Sequence, residues 1–185
     1  MCVEAYPSSA NSFLCRVLKY INKDLKIGQH THTIANIKIA FKYNIPVITI
    51  IRDPLDAISS RVVRFNITIE QCILEYINFY EFVAEHLNEL LVLTFENIIN
   101  NTAESLSKIE NKTNTTLSNI DIEEAKKHAF SIISTRAKEN KRLHKVSLPS
   151  AERENEKDNV KQKVLKSPNY HRSIDVYKHI FESII

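Results

Sequence analysis

Glycine is almost missing from this sequence: Gly28 is the only one among 185 residues. Left-handed backbone comes to glycine without steric cost. Turns and anion-binding loops that ordinarily rest on it must therefore be built here from other residues. Cysteine is also scarce. Cys2, Cys15 and Cys72 fit no zinc-ligand spacing, and an odd, sparse set excludes a disulfide scaffold and points to reduced thiols. No apolar run approaches the roughly 18 residues of a membrane span. No signal-peptide pattern precedes the first apolar segment, so a cytoplasmic setting is expected. The Asn-X-Ser/Thr sequons at Asn66, Asn100, Asn111 and Asn114 then read as accidents of an Asn-rich composition. A strong charge imbalance is lacking too: the net charge of +3 is too small to argue for a nucleic-acid partner.

What is present fits one globular domain spanning residues 1–185. A chain of this size buries roughly 70% of its unfolded surface. Cys2 to Tyr6 is short and apolar, as a buried strand is. The turn PSSANS follows, then an amphipathic helix from about Ser12 to Asn22 with Phe13, Leu14, Val17, Leu18 and Ile21 on one side. The next segment is read as a loop entering a helix near Ile34 to Tyr43. Pro46 to Ile51, PVITII, is β-branched and apolar on both faces, as central parallel strands are. Arg52 ends it. Asp53 as N-cap, Pro54 at the first helical position and Asp56 in the first turn then open a helix. Further helices are expected at about Ile69–Leu87, Ala103–Glu110 and Asp121–Lys138, with a strand at Glu89–Phe95. This alternation predicts an α/β fold of three layers, a small parallel sheet with helices on both faces. Residues 136–166 carry ten Lys/Arg against five Asp/Glu and few apolar side chains. They read as a mobile charged arm. A last helix, about Ser173–Ile185, is expected to dock through Ile174, Tyr177, Ile180, Phe181 and Ile184.

Four constellations carry chemistry. Strand, tight turn and helix around Tyr6 to Phe13 form either an anion site or a plain Ser- and Asn-rich helix start. In the first case backbone N–H groups and the helix dipole receive a phosphate, and Ser9, Asn11 and Ser12 add donors. The Gly-Lys-Ser/Thr ending of a Walker loop is absent. Arg52 stands at the carboxyl end of a central parallel strand, where open α/β sheets bind ligands. It suits bidentate phosphate contact, or a structural pair with Asp56. Ser60 lies two turns into the following helix. His30 and His32 share one face of an extended segment; either is a candidate general base, or the pair is a surface loop. Phe95 and Glu96 close the later strand, where the aromatic suits support of a nucleotide base.

Together these residues resemble the sulfotransferase family that uses 3'-phosphoadenosine 5'-phosphosulfate (PAPS). Family members open with a loop such as YPKSGTTW or FPRSGNSW, and YPSSANSF stands here. His30-Thr31-His32 is similar to a KTH-like segment. RDPLDAISS is similar to RDPRDVAVS, with Arg52 and Ser60 eight positions apart as in the family, and Phe95-Glu96-Asn97-Ile98 is similar to YEDL. Order and spacing agree over about residues 1–135. The resemblance implies a P-loop-like domain that moves a sulfuryl group from PAPS to an unidentified hydroxyl or amine acceptor, without a metal. It implies that the backbone of residues 9–12 holds the 5'-phosphate, with Ser8, Ser9, Ala10, Asn11, Ser12 and Phe13 forming the loop. Arg52 and Ser60 would hold the 3'-phosphate, and Phe95 would support the base. His32 is the expected base, with His30 or a residue of the charged arm giving positive charge in place of the missing loop cation.

Three departures stand against the family pattern. Ser8 occupies the place of a loop Lys or Arg, Ala10 replaces a loop glycine, and the C-terminal RKG-type element has no counterpart; Lys138, Lys141 and Arg142 are the basic residues considered for it. Two alternatives follow. One is a catalytically impaired PAP- or PAPS-binding homologue or interaction module. The other is a small P-loop-type kinase, which the missing Walker lysine disfavours. On the sulfotransferase reading, Ser8→Lys is expected to raise transfer unless another cation already serves.

Overall fold

The computed structural model describes residues 1–29, 31–117, 121–139 and 151–185. Its strands are β1 (Cys2–Ala5), β2 (Gly28–Gln29), β3 (Val47–Ile51) and β4 (Leu91–Thr94). They form one parallel sheet in the order β2-β1-β3-β4. Cys2 to Ala5 pair with Val47 to Ile50, and Ile48 to Ile51 pair with Leu91 to Thr94. Because every strand runs the same way, all carboxyl ends lie along one edge of the sheet. The helices are α1 (Asn11–Ile21), α2 (Ile34–Lys42), α3 (Pro54–Phe65), α4 (Ile69–Glu85), α5 (Phe95–Asn100), α6 (Thr102–Thr113), α7 (Ile122–Glu139), α8 (Ala151–Leu165) and α9 (Tyr170–Ile184).

Strand alternation divides the core in two. Val3, Ala5, Ile48, Ile50 and Leu93 face α1, α6 and α7, where they meet Phe13, Leu14, Leu18, Ile109 and Ile133. Cys2, Val47, Ile51 and Val92 face the opposite layer. There they meet Ile37 of α2, Ile58 of α3, Ile73, Tyr76, Ile77 and Tyr80 of α4, and Ile180 of α9. The fold is therefore the three-layer α/β arrangement that the alternating elements predict. The three cysteines are free and buried, and burial pushes the Cys15 thiol up to about 12.

Local signals explain most boundaries. The Asp53 carboxylate accepts from the Asp56 N–H at 3.1 Å, with Pro54 at the first helical position of α3. Thr68 and Thr94 cap α4 and α5 in the same way, at 3.3 and 3.1 Å. Asp121 Oδ1 accepts from the N–H groups of Glu123 and Glu124 at 2.9 and 3.3 Å, at the start of α7. The Thr94 cap also corrects one expectation: Phe95 opens α5 instead of closing β4.

Three other expectations change. The segment after α1 contains the two-residue strand β2, which is too short to show a period-two pattern. α9 begins at Tyr170, earlier than expected, and packs on α4. Within the stretch read as a charged arm, Ala151–Leu165 is helix α8 lying along α3. Val164 is fully buried there, and Lys161 Nζ bonds Asp56 Oδ1 at 2.8 Å. Lys141 and Arg142 lie outside the described residues, as does the side chain of Lys138.

Candidate active site

The four strand ends surround a cavity of about 260 Å³. β1 leads into the loop that starts α1, β2 leads to His32, β3 ends at Arg52, and β4 hands over to Phe95. Ser8, Ser9, Ala10, Asn11, Ser12, Phe13, His32, Arg52, Ser60 and Phe95 all line this one cavity. His30 falls outside the described residues.

Scarce glycine leaves a visible mark on this cavity. Six described non-glycine residues have positive φ: Ser8, Ala10, His32, Asn44, Asn66 and Asn114. The three asparagines follow the ends of α2, α3 and α6, where left-handed residues stop helices, and asparagine tolerates that backbone. The other three, Ser8 at 70°, Ala10 at 65° and His32 at 53°, all line the cavity. Each costs of order 1–3 kcal/mol, strain of the kind that clusters at functional sites. His32 therefore leaves the extended conformation expected for it.

The loop is held from several sides. Arg52 Nη1 donates to the Ser8 carbonyl at 2.8 Å, and its guanidinium lies 4.0 Å over the Phe95 ring. Its carbonyl accepts from the Tyr76 hydroxyl at 2.7 Å. Asp56 is 4.0 Å from Arg52, whereas Lys161 bonds it at 2.8 Å. The structural Arg52–Asp56 pair is thus the weaker of the two, and Arg52 Nη1 serves the loop. Burial pushes the pKa of the Arg52 guanidinium down, against the pull of Asp56. Its side chain keeps 14% exposure, toward the cavity it lines. Asn11 is also buried, and its Nδ2 has no hydrogen-bond partner among the described residues. A buried amide donor lining a cavity lacks an acceptor that a ligand oxygen would supply.

His32 is fixed by a residue the sequence reading passed over. Glu4, fully buried in β1, accepts from His32 N at 2.8 Å, Thr31 N at 3.2 Å, Thr31 Oγ1 at 2.9 Å and Asn36 Nδ2 at 2.7 Å. His32 Nδ1 lies 2.8 Å from the Ala5 carbonyl. A carbonyl only accepts, so this bond places the proton on Nδ1 and leaves the neutral ring's lone pair on Nε2.

No protein-family model matches this sequence, and no curated protein matches it either. The fold does find a counterpart. The crystal structure of mouse sulfotransferase SULT7A1 complexed with PAP aligns with a TM-score of 0.56 at 16% identity, covering 99% of this chain and 87% of that one. This chain has the sulfotransferase fold.

Within that fold, three further charged residues line the cavity: Arg64 of α3 and Glu154 and Lys157 of α8. Arg64 Nη1 donates to Ser8 Oγ at 2.8 Å. Lys157 Nζ lies 3.1 Å from Glu154. The sequence did hold a signal for Arg64, which follows Ser60 by one helical turn and shares its face. Glu4 had one as well: an acid inside the apolar run CVEAY. Lys157 carried none, because its helix reads as solvated along its whole length.

Proposed function

We propose that this chain is a sulfotransferase that takes PAPS in the cavity at the strand ends. The observation that carries the reading is the convergence there of the Ser8–Ser12 loop, Arg52 and Ser60 at the carboxyl ends of a parallel sheet. The buried donor Asn11 Nδ2 and the cation Arg52 suit an anionic ligand. The backbone N–H groups of residues 9–12, at the start of α1, suit the 5'-phosphate. Arg52 and Ser60 suit a 3'-phosphate, and Phe95 the base. PAPS supplies an activated sulfuryl group, so the protein's part is to position reactants and balance charge. Its bound product, PAP, is the nucleotide in the mouse structure. His32, with Nδ1–H held by Ala5, presents Nε2 to take the proton of an acceptor hydroxyl or amine.

The test is acceptor-dependent release of PAP from PAPS, measured over a panel of hydroxyl and amine compounds. PAP release that needs an acceptor, with no ADP release when ATP replaces PAPS, is the expected result. Ser8 in the place of the loop cation favours a second reading, a PAP-binding module without turnover. Tight PAP binding with no release on any acceptor would select it.

A further inference from the structure

The loop position at which an anionic group would press on residue 8 carries a hydroxyl, yet that hydroxyl is not alone. Arg64 Nη1 donates to Ser8 Oγ at 2.8 Å, while Arg52 Nη1 holds the Ser8 carbonyl at 2.8 Å. Ser8 is thus clamped from both ends at a φ of 70°. Arg64 and Ser8 both line the cavity, together with Asn11 and Ser12. A serine that accepts from a guanidinium keeps its own O–H to donate, and the cation polarises that O–H. The guanidinium stays charged at any working pH.

We propose that Ser8 and Arg64 together take the place of the missing loop cation: Ser8 donates to the leaving oxygen, and Arg64 acts through it as a positioning residue. This rests on the sulfotransferase reading. In the transfer, a bond forms from the acceptor oxygen or nitrogen to sulfur as the bond from sulfur to the bridging oxygen breaks. The bond's electron pair stays on that oxygen, which becomes part of the 5'-phosphate of PAP. The acceptor proton passes to His32 Nε2. Negative charge therefore collects on one oxygen, and the Ser8 O–H backed by Arg64 meets it.

The experiment compares wild type with Arg64→Gln, Arg64→Lys, Ser8→Lys and the double variant Arg64→Gln/Ser8→Lys. It measures kcat for PAP release and PAP affinity by calorimetry. Arg64→Gln leaves the Ser8 donor in place without the cation behind it, so kcat should fall by at least about tenfold, toward the about 10² to 10³ lost when a donor to a developing oxyanion is removed outright, with PAP affinity held within about threefold. Arg64→Lys should retain part of the rate. Ser8→Lys alone should give no gain, because it sets a second cation against Arg64, and in the Arg64→Gln background it should restore at least about tenfold. An unchanged kcat in Arg64→Gln overturns the proposal. So does a loss of PAP affinity that matches the loss of rate, which makes Arg64 a nucleotide ligand, and so does failure of Ser8→Lys to restore. A wild type that binds PAP without turnover overturns this proposal and leaves nucleotide binding standing. A wild type that does not bind PAP removes both.

Discussion

Ala10 shows what a glycine-poor loop costs. It is the N-cap of α1, with φ 65° and ψ 11°, and its carbonyl accepts the first helical bond from Leu14 at 3.0 Å. A left-handed non-glycine residue costs about 1–2 kcal/mol, and introducing glycine costs about 0.4–1 kcal/mol through the unfolded chain. Ala10→Gly should therefore stabilise the protein by about 0.5–1 kcal/mol, a rise in Tm of about 1–4 °C. Thermal unfolding checks it, and an unchanged or lower Tm contradicts the strain argument. His32 is tested better by asparagine than by alanine, because asparagine tolerates its φ of 53°. His32→Asn should lower turnover by about 10² to 10⁴, the usual worth of a general base, while PAP affinity stays within about threefold. Equal losses in both would make His32 a nucleotide-positioning residue. At this scale the sequence was informative where chemistry can be read from residue type and order: Ser8 to Phe13, His32, Arg52, Ser60 and Phe95 meet at one cavity. It marked Glu4 and Arg64 only by position, an acid in an apolar run and a cation one turn after Ser60, and not by role, because their roles depend on partners 27 to 56 positions away.

Helix α8 is where composition misled most. Its charged residues alternate around the axis, so no apolar stripe announces a buried face; Val164 alone among its described residues is fully buried. What docks it is tertiary: Val164 in the core and the Lys161–Asp56 bond. Burial by itself would raise the Asp56 pKa, but Lys161 and Arg52 hold it below the ordinary value. The Asp56 bond holds Lys161 above its own. The sign follows for each partner. A depressed carboxylate stabilises above its unfolded pKa and loses that as pH falls, and a raised lysine loses its contribution as pH rises past its unfolded pKa. The bond is therefore intact between about pH 4 and pH 10. Both partners are partly exposed, so it is worth no more than about 1 kcal/mol. Val164→Ala should cost about 1–3 kcal/mol. Hydrogen exchange across residues 151–165 checks both. Protection should fall in Val164→Ala, and by a smaller amount in Lys161→Ala at pH 7. Unchanged protection in Val164→Ala would contradict docking through the core.

For the whole molecule, the three-layer fold was readable from the order of elements, since VITII and its neighbours are apolar on both faces. β2 and the extent of the α5–α6 pair were not, because two-residue strands and adjacent short helices leave no period in the sequence. No described helix is long and apolar enough to cross a membrane. The fold gathers the strand ends at one cavity, which we propose takes an adenine nucleotide bearing a 3'-phosphate. Calorimetry of PAP against AMP, on wild type and Arg52→Ala, tests that most directly. PAP should bind and AMP should bind poorly to both forms. Arg52→Ala should weaken PAP by about 2–4 kcal/mol, the loss expected for a charge-assisted contact. Equal affinity of the wild type for AMP and PAP would contradict the account.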